Sequence, residues 1–249
     1  VNIRRLRSLS TNGLFLICII FCSLAGCKKD LPKESVEKPV EPIVKKESRE
    51  LGLELYEKGE NTEAIEEFKK AVAANKADVE VYFKLASAYY NEGLTGDATA
   101  MYKKVVEMEP NHVEAHYELG LNYLDEGLCE EGIRELKKVL EIEPKHETAY
   151  YSLGEAYYDC NRKEDALEVW KALLKDNPQD SILHYNLGVI YRDKGQVKSA
   201  VSELQKAIAI DPNDDDVKNL LKQLTTKKHP VKSTGHIKNK KKTEQKKKK

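Results

Sequence analysis

This chain of 249 residues lacks the patterns that most chemistry needs. No HExxH or CxxC spacing occurs, and no glycine loop of the kind that cradles phosphate. The six histidines fall without ligand spacing, and no nucleophile stands at a motif distance from a base. A catalytic site, a cofactor and a metal site are therefore not expected. Long apolar runs are scarce: residues 14–25 are apolar apart from Ser23, and too few to span a bilayer as a helix. Net charge is missing too, with 42 Lys+Arg against 42 Asp+Glu, but the balance conceals a division. Residues 45–214 carry 22 basic and 35 acidic side chains, a balance of −13, whereas residues 215–249 set 13 lysines against Asp215, Asp216 and Glu244. From Lys227 onward the chain has no aromatic residue, which removes the stacking surface expected of a nucleic-acid binder. Such a stretch cannot bury enough apolar area to order itself, so 227–249 reads as a disordered, lysine-rich tail.

Against these absences stands a period. Pro110, Pro144, Pro178 and Pro212 recur every 34 residues without an insertion. In the same register run Leu51-Gly52, Leu85-Ala86, Leu119-Gly120, Leu153-Gly154 and Leu187-Gly188. Leu55, Tyr89, Tyr123, Tyr157 and Tyr191 follow four residues after each leucine, and then come Gly59, Gly93, Gly127, Asn161 and Gly195. Small Ala64, Ala98, Gly132, Ala166 and Ala200 precede bulky Phe68, Tyr102, Leu136, Trp170 and Leu204. Each unit reads as helix A, a tight turn and helix B. The turn needs a residue that tolerates positive φ, hence glycine or asparagine. The small residues let two helix backbones approach, and the bulky one fills the space beside that contact. Proline lacks an N–H and biases its predecessor away from helix, so helix B stops there. Lys76 stands where the first unit's proline is expected. Val217, Leu220, Leu221 and Leu224 then mark one face of a further helix.

This set of residues resembles the tetratricopeptide repeat, a helix–turn–helix unit of the same period. The resemblance covers five copies, residues 45–78, 79–112, 113–146, 147–180 and 181–214. It implies an all-α, right-handed superhelical solenoid, closed by a capping helix over residues 215–226 that solvates the end of the stack. It also implies a concave groove lined by the A helices. The groove positions of the family fall on Phe83, Tyr117, Tyr151 and Tyr185 (fifth in the unit), Ser87, Leu121, Glu155 and Val189 (ninth), and Tyr90, Tyr158 and Arg192 (twelfth). Asp125, Asp159 and Asp193 edge this stripe at the thirteenth position. Such a surface suits an extended or helical peptide with apolar anchors and basic flanks. Tyrosine at the fifth and twelfth positions also supports folding in this family. Lys84, Glu118 and Asn186 do not make the basic clamp by which some relatives hold a peptide carboxylate, so a chaperone-tail clamp is not expected.

The front of the chain reads as an address. Arg4, Arg5 and Arg7 precede the apolar run, which ends Leu24-Ala25-Gly26-Cys27. That ending resembles the lipobox of bacterial lipoproteins, which implies removal of residues 1–26 as a signal peptide and lipidation of Cys27. Cys18 and Cys22 follow bulky Ile17 and Phe21 and do not qualify. In the Gram-negative sorting scheme that this resemblance implies, aspartate after the cysteine favours the inner membrane, so Lys28 implies the outer membrane. Residues 27–44 hold Pro32, Pro39 and Pro42 among charges and read as a tether reaching up to about 50 Å. Of the remaining residues, Cys129 and Cys160 lie near the A–B turns of consecutive repeats, so they can approach each other, and export permits a disulfide; separate, reduced thiols are the other reading, and the sequence leaves the choice open. His112 and His146 end repeats, His116 and His184 lie on A helices where packing explains them, and His229 and His236 are in the tail.

Together these features imply a membrane-anchored lipoprotein facing the periplasm, without enzymatic activity, that acts as a protein-interaction scaffold in the bacterial envelope. Two alternatives stay open. One is a pilotin-like factor for assembling pilus or secretion machinery. The other is an adhesion or spacer protein whose basic tail binds anionic lipid or wall polymer. A self-contact between basic tail and acidic repeats would use the same charges. Nucleic acid is not an expected partner.

Overall fold

The computed structural model describes residues 47–226 and 237–238. The expected signal peptide, Cys27, the expected tether and most of the tail lie outside the described residues. Eleven α-helices and no strand occur among the described residues: α1 (Ser48–Glu57), α2 (Asn61–Ala73), α3 (Val79–Asn91), α4 (Thr95–Met108), α5 (Val113–Asp125), α6 (Cys129–Ile142), α7 (Glu147–Asp159), α8 (Lys163–Asp176), α9 (Ser181–Asp193), α10 (Val197–Ile210) and α11 (Asp215–Thr226). Odd-numbered helices α1 to α9 are the A helices. Each packs on the B helix that follows it, each B helix meets the next A helix, and α11 lies against α10. The expected all-α solenoid of five helix–turn–helix repeats with a capping helix is the observed architecture.

The turns and stops follow from local chemistry. Gly59, Gly93, Gly127 and Gly195 hold φ between 72° and 80°, and Asn161 holds 60°. At that turn the N–H of Asn161 donates to the Tyr158 carbonyl (3.0 Å) and the N–H of Arg162 to that of Tyr157 (2.7 Å), which satisfies carbonyls that the ended helix leaves open. Helices α4, α6, α8 and α10 each end two residues before their proline. The first repeat, without proline, stops differently. Asn75 takes φ 53°, and the N–H groups of Asn75 and Lys76 return to the carbonyls of Val72 (3.0 Å) and Ala71 (2.9 Å). That pair of bonds is a Schellman closure, so asparagine does there what proline does in the other four repeats.

The entry to each later A helix is equally regular. The last residue of every repeat caps the next helix: Asp78, His112, His146, Asp180 and Asp214 accept backbone N–H bonds at 2.9–3.2 Å through a carboxylate oxygen or an imidazole Nδ1. A cap of this kind typically contributes about 1 kcal/mol.

The core runs through the stack. Phe68, Tyr102, Leu136, Trp170 and Leu204 are all at most 2 % exposed, and Phe68, Leu136, Trp170 and Leu204 lie against the A-helix glycine of their own repeat. The closest of these approaches is at Gly154, where an added Cβ would lie 2.0 Å from Trp170 Nε1. Burial of each such side chain contributes about 1.5–3 kcal/mol.

One open question is answered and one expectation is corrected. Cys129 and Cys160 form a disulfide, with Cα atoms 6.0 Å apart. The residues are distant in sequence, but stacking places the third and fourth A–B turns side by side. His116 and His184 do more than pack. His116 Nδ1 lies 2.7 Å from Glu135 Oε2 and Nε2 lies 3.0 Å from the Pro110 carbonyl; His184 repeats this with Glu203 (2.6 Å) and Pro178 (3.2 Å). Each imidazole thus ties its A helix to helix B and to the preceding turn.

Candidate ligand groove

The fifth-position side chains face the caps that close each repeat. Arg49 donates to Asp78 (2.7 Å) and Glu80 (2.6 Å). Phe83 stacks on His112 with ring centroids 5.2 Å apart, Tyr117 stacks on His146 at 5.7 Å, and the Tyr151 hydroxyl donates to Asp180. One contact, made in succession by an ion pair, two ring stacks and a hydrogen bond, therefore runs along four repeats. Its electrostatics follow. Burial alone would raise Asp78, but the Val81 N–H and the Arg49 guanidinium outweigh it and hold that carboxyl below its ordinary range. Tyr117, Tyr151 and Tyr185 are only 6, 2 and 4 % exposed. Burial pushes the Tyr117 phenol up, although its bond with Ser152 in the next repeat (3.0 Å) opposes this. These tyrosines join repeats, so each belongs to the core as well as to the groove wall.

In the second to fourth repeats the ninth and twelfth positions are more open: Tyr90 is exposed, and Ser87, Leu121, Glu155 and Tyr158 are half-buried, as is Phe83 at the fifth position. Tyr158 donates to Asp193 in the next repeat at 2.6 Å, and Tyr90 reaches Asp125 at 3.4 Å. The Asp125 and Asp193 edge is thus partly spent on holding repeats together. Val189 is fully buried, and Arg192 is buried with its guanidinium on Asp193 (2.6 Å).

The fifth repeat holds something more. Ile237 and Lys238, from the lysine-rich tail, lie against it. The Asn186 Nδ2 donates to the Lys238 carbonyl (2.9 Å), and the Lys238 N–H donates to Asn186 Oδ1 (2.8 Å). One amide side chain thereby satisfies both backbone groups of a single residue, a contact that reads an extended chain without reading its sequence. The Lys238 ammonium adds sequence selectivity. It bonds Asp214 at 2.6 Å, approaches Asp216 at 3.4 Å, and lies 4.4 Å from the centre of the Tyr185 ring. Ile237 packs against both the central and the C-terminal apolar clusters. Burial, helped by Asp216 and Asp214, pushes the Tyr185 phenol up to about 12 against the opposing charge of Arg192.

Asn186, Asp214 and Asp216 were not among the sequence-derived groove residues. The signal for Asp214 was present: it continues the capping series of Asp78, His112, His146 and Asp180. Ile237 is likewise an apolar residue in a stretch otherwise rich in lysine. Among the described residues, no three His, Cys, Asp or Glu side chains are grouped to hold a metal ion, and no helix is long and apolar enough to cross a membrane.

Comparison with known proteins agrees with the repeat architecture. Residues 52–93, 79–112 and 151–215 match models of the tetratricopeptide repeat, and residues 103–177 match a bacterial transcriptional activator domain. No curated protein matches the chain. Among solved structures, a crystal structure of MamA is 27 % identical, with 65 % of this chain and 95 % of that chain covered and a TM-score of 0.61. MamA from Desulfovibrio magneticus RS-1, residue 41 to its end, is 25 % identical (68 % and 95 % covered, TM-score 0.61). YrrB, described as a TPR protein with an unusual peptide-binding site, is 19 % identical (72 % and 91 % covered, TM-score 0.62) and shares the fold.

Proposed function

The stack is built of tetratricopeptide repeats, and from that premise we propose that this chain is a lipid-anchored scaffold of the bacterial envelope that binds extended protein segments in its groove. The observation that carries the reading is the peptide held in the fifth repeat, where Asn186 grips the backbone and Asp214 takes the lysine. A groove that engages main chain in this way takes a peptide rather than a small molecule. Tyr90, Leu121 and Glu155, on the second to fourth repeats, provide further surface for a longer segment with basic flanks. Lipidation at Cys27 fixes the place, and residues 28–44 set the reach. The Cys129–Cys160 disulfide supports export, because such bonds persist in oxidising compartments. Anchoring raises local concentration, so modest contacts suffice for capture.

The test is crosslinking in intact cells followed by affinity capture. Tyr90→Ala, Leu121→Ala and Glu155→Lys are combined in one variant, since these side chains are more open than Tyr117, Tyr151 and Tyr185; circular dichroism of the purified variant checks that the repeats stay folded without the Tyr90–Asp125 contact. Loss of a protein captured by the wild type supports the groove reading; unchanged capture overturns it. A secretin or pilus component among the captured proteins would favour the pilotin-like role, and wall polymer in place of protein would favour the adhesion role. Metabolic labelling with a fatty-acid analogue tests the anchor: the label should be present in the wild type and absent from Cys27→Ala.

A further inference from the structure

The fifth repeat is where the series of fifth-position contacts changes hands. In the first four repeats, the fifth-position side chain meets the next helix cap directly: Arg49 with Asp78, Phe83 with His112, Tyr117 with His146, Tyr151 with Asp180. In the fifth, the Lys238 ammonium bridges the pair, bonded to Asp214 and set over the face of Tyr185. Both charged partners are withdrawn from water, the Lys238 side chain to 13 % exposure and that of Asp214 to 15 %. Asn186, fully buried, completes the grip through the backbone. A lysine that merely lay on an acidic surface would leave its own N–H and carbonyl in solvent. Here backbone, charge and the neighbouring isoleucine are all engaged at once.

We propose that residues 237–238 are a built-in ligand of this groove, and that the chain's own tail gates the C-terminal end of the binding surface against external segments carrying an apolar–lysine pair. The inference rests on the reading of the groove as a peptide site and adds to it a regulator and a sequence preference. The supporting physics is local concentration. Only residues 227–236 separate Ile237 from the last helix, and a segment on so short a connection meets its site at an effective concentration on the order of millimolar. An external segment must therefore bind better than the tail or arrive where the tail has been drawn away. The lysine-rich remainder of the tail supplies such a route: a polyanionic surface that attracts it competes with Asp214 and Asp216 for the same charge and opens the groove.

The experiment uses the full chain and a fluorescent peptide corresponding to residues 232–242, added in trans and read by anisotropy. Ile237→Asp with Lys238→Glu undocks the tail while leaving the repeats untouched. This variant should bind the peptide at least about tenfold more tightly than the wild type, because the competitor in cis is gone. Adding Asp214→Asn to it should remove most of that gain; asparagine still caps α11, so the helix keeps its start while the charge is lost. Equal affinity of wild type and double variant would overturn the gating. Absence of binding to the double variant would overturn the assignment of residues 237–238 as a ligand, and so would a gain that survives Asp214→Asn. These results separate from those of the scaffold test: cellular capture can fail while the tail still competes, and the tail can fail to compete while Tyr90, Leu121 and Glu155 still capture a partner.

Discussion

At the scale of single residues, two buried sites set opposite demands. Gly154 has no room for a methyl group, since the Trp170 ring occupies the place of a Cβ. Gly154→Ala gains about 1 kcal/mol of helix propensity but forces a fully buried indole to move. Overpacking of that kind costs roughly 1–3 kcal/mol, so the variant should be less stable in urea titration. Gly120→Ala is the control: its nearest atoms are Leu136 Cγ at 3.1 Å and the Gly132 carbonyl oxygen at 3.2 Å, so its neighbours need give by only a few tenths of an ångström and it should lose less. An equal effect at both sites would show that close approach is not what selects glycine. Asn122 presents the reverse case. Its side-chain amide is buried with neither Oδ1 nor Nδ2 bonded, at a position where Ala88 and Ala156 stand in neighbouring repeats. Asn122→Ala removes two unsatisfied groups, so we expect stability to rise by about 1 kcal/mol. A marked loss of stability would mean that the amide has a role the packing does not reveal.

At the scale of elements, the disulfide is the one covalent tie between repeats among the described residues. It closes a loop of 31 residues from the third repeat's turn to the fourth's. Chain entropy then assigns it about 3–4 kcal/mol against the unfolded chain. Reduction should therefore lower the urea midpoint. Hydrogen exchange should locate the loss in α6 and α7 first, because each repeat depends mainly on its neighbours. If the protection of α6 and α7 is unchanged by reductant, the bond is a bystander. This tie also shows where sequence stops speaking. The prolines, the positive-φ turns and the Gly154–Trp170 pairing were legible because they depend on residues within one repeat at fixed spacing. Cys129 and Cys160 lie at different positions of different repeats, so no period marks them. The same limit hid the two histidine bridges, since a His–Glu pairing across helices A and B needs the helix phase as well as the count. A family clamp calls for several basic positions at once, whereas the Asn186 amide alone is enough to hold a backbone, and a single asparagine carries no motif.

At the scale of the whole molecule, tyrosines run through the stack, and we expect them to make it sensitive to alkali. Tyr102, Tyr117 and Tyr185 lie in the second, third and fifth repeats, and burial raises all three phenols, Tyr185 to about 12 from an ordinary 10.0. A phenol whose folded value is raised keeps its proton where the unfolded chain has lost it, so unfolding releases protons in the interval between. The stabilisation is whole below about pH 10 and declines as pH rises towards 12, by on the order of 2 kcal/mol for Tyr185 alone. Because repeats are coupled only to their neighbours, loss at the fifth repeat also uncovers the fourth through α8 and α9. Helicity followed by circular dichroism should then fall over the same pH interval in which tyrosinate absorbance appears, with the late-titrating phenols ionising as the helices melt. If all tyrosines ionise near pH 10 while helicity is retained, the interfaces that bury them are open to water and the stack is looser than its packing implies. Tyr185→Phe isolates the end of the array. It removes the ionisable group and keeps the ring beneath Lys238, so alkaline melting of α9 to α11 should shift to higher pH while the earlier repeats respond as before.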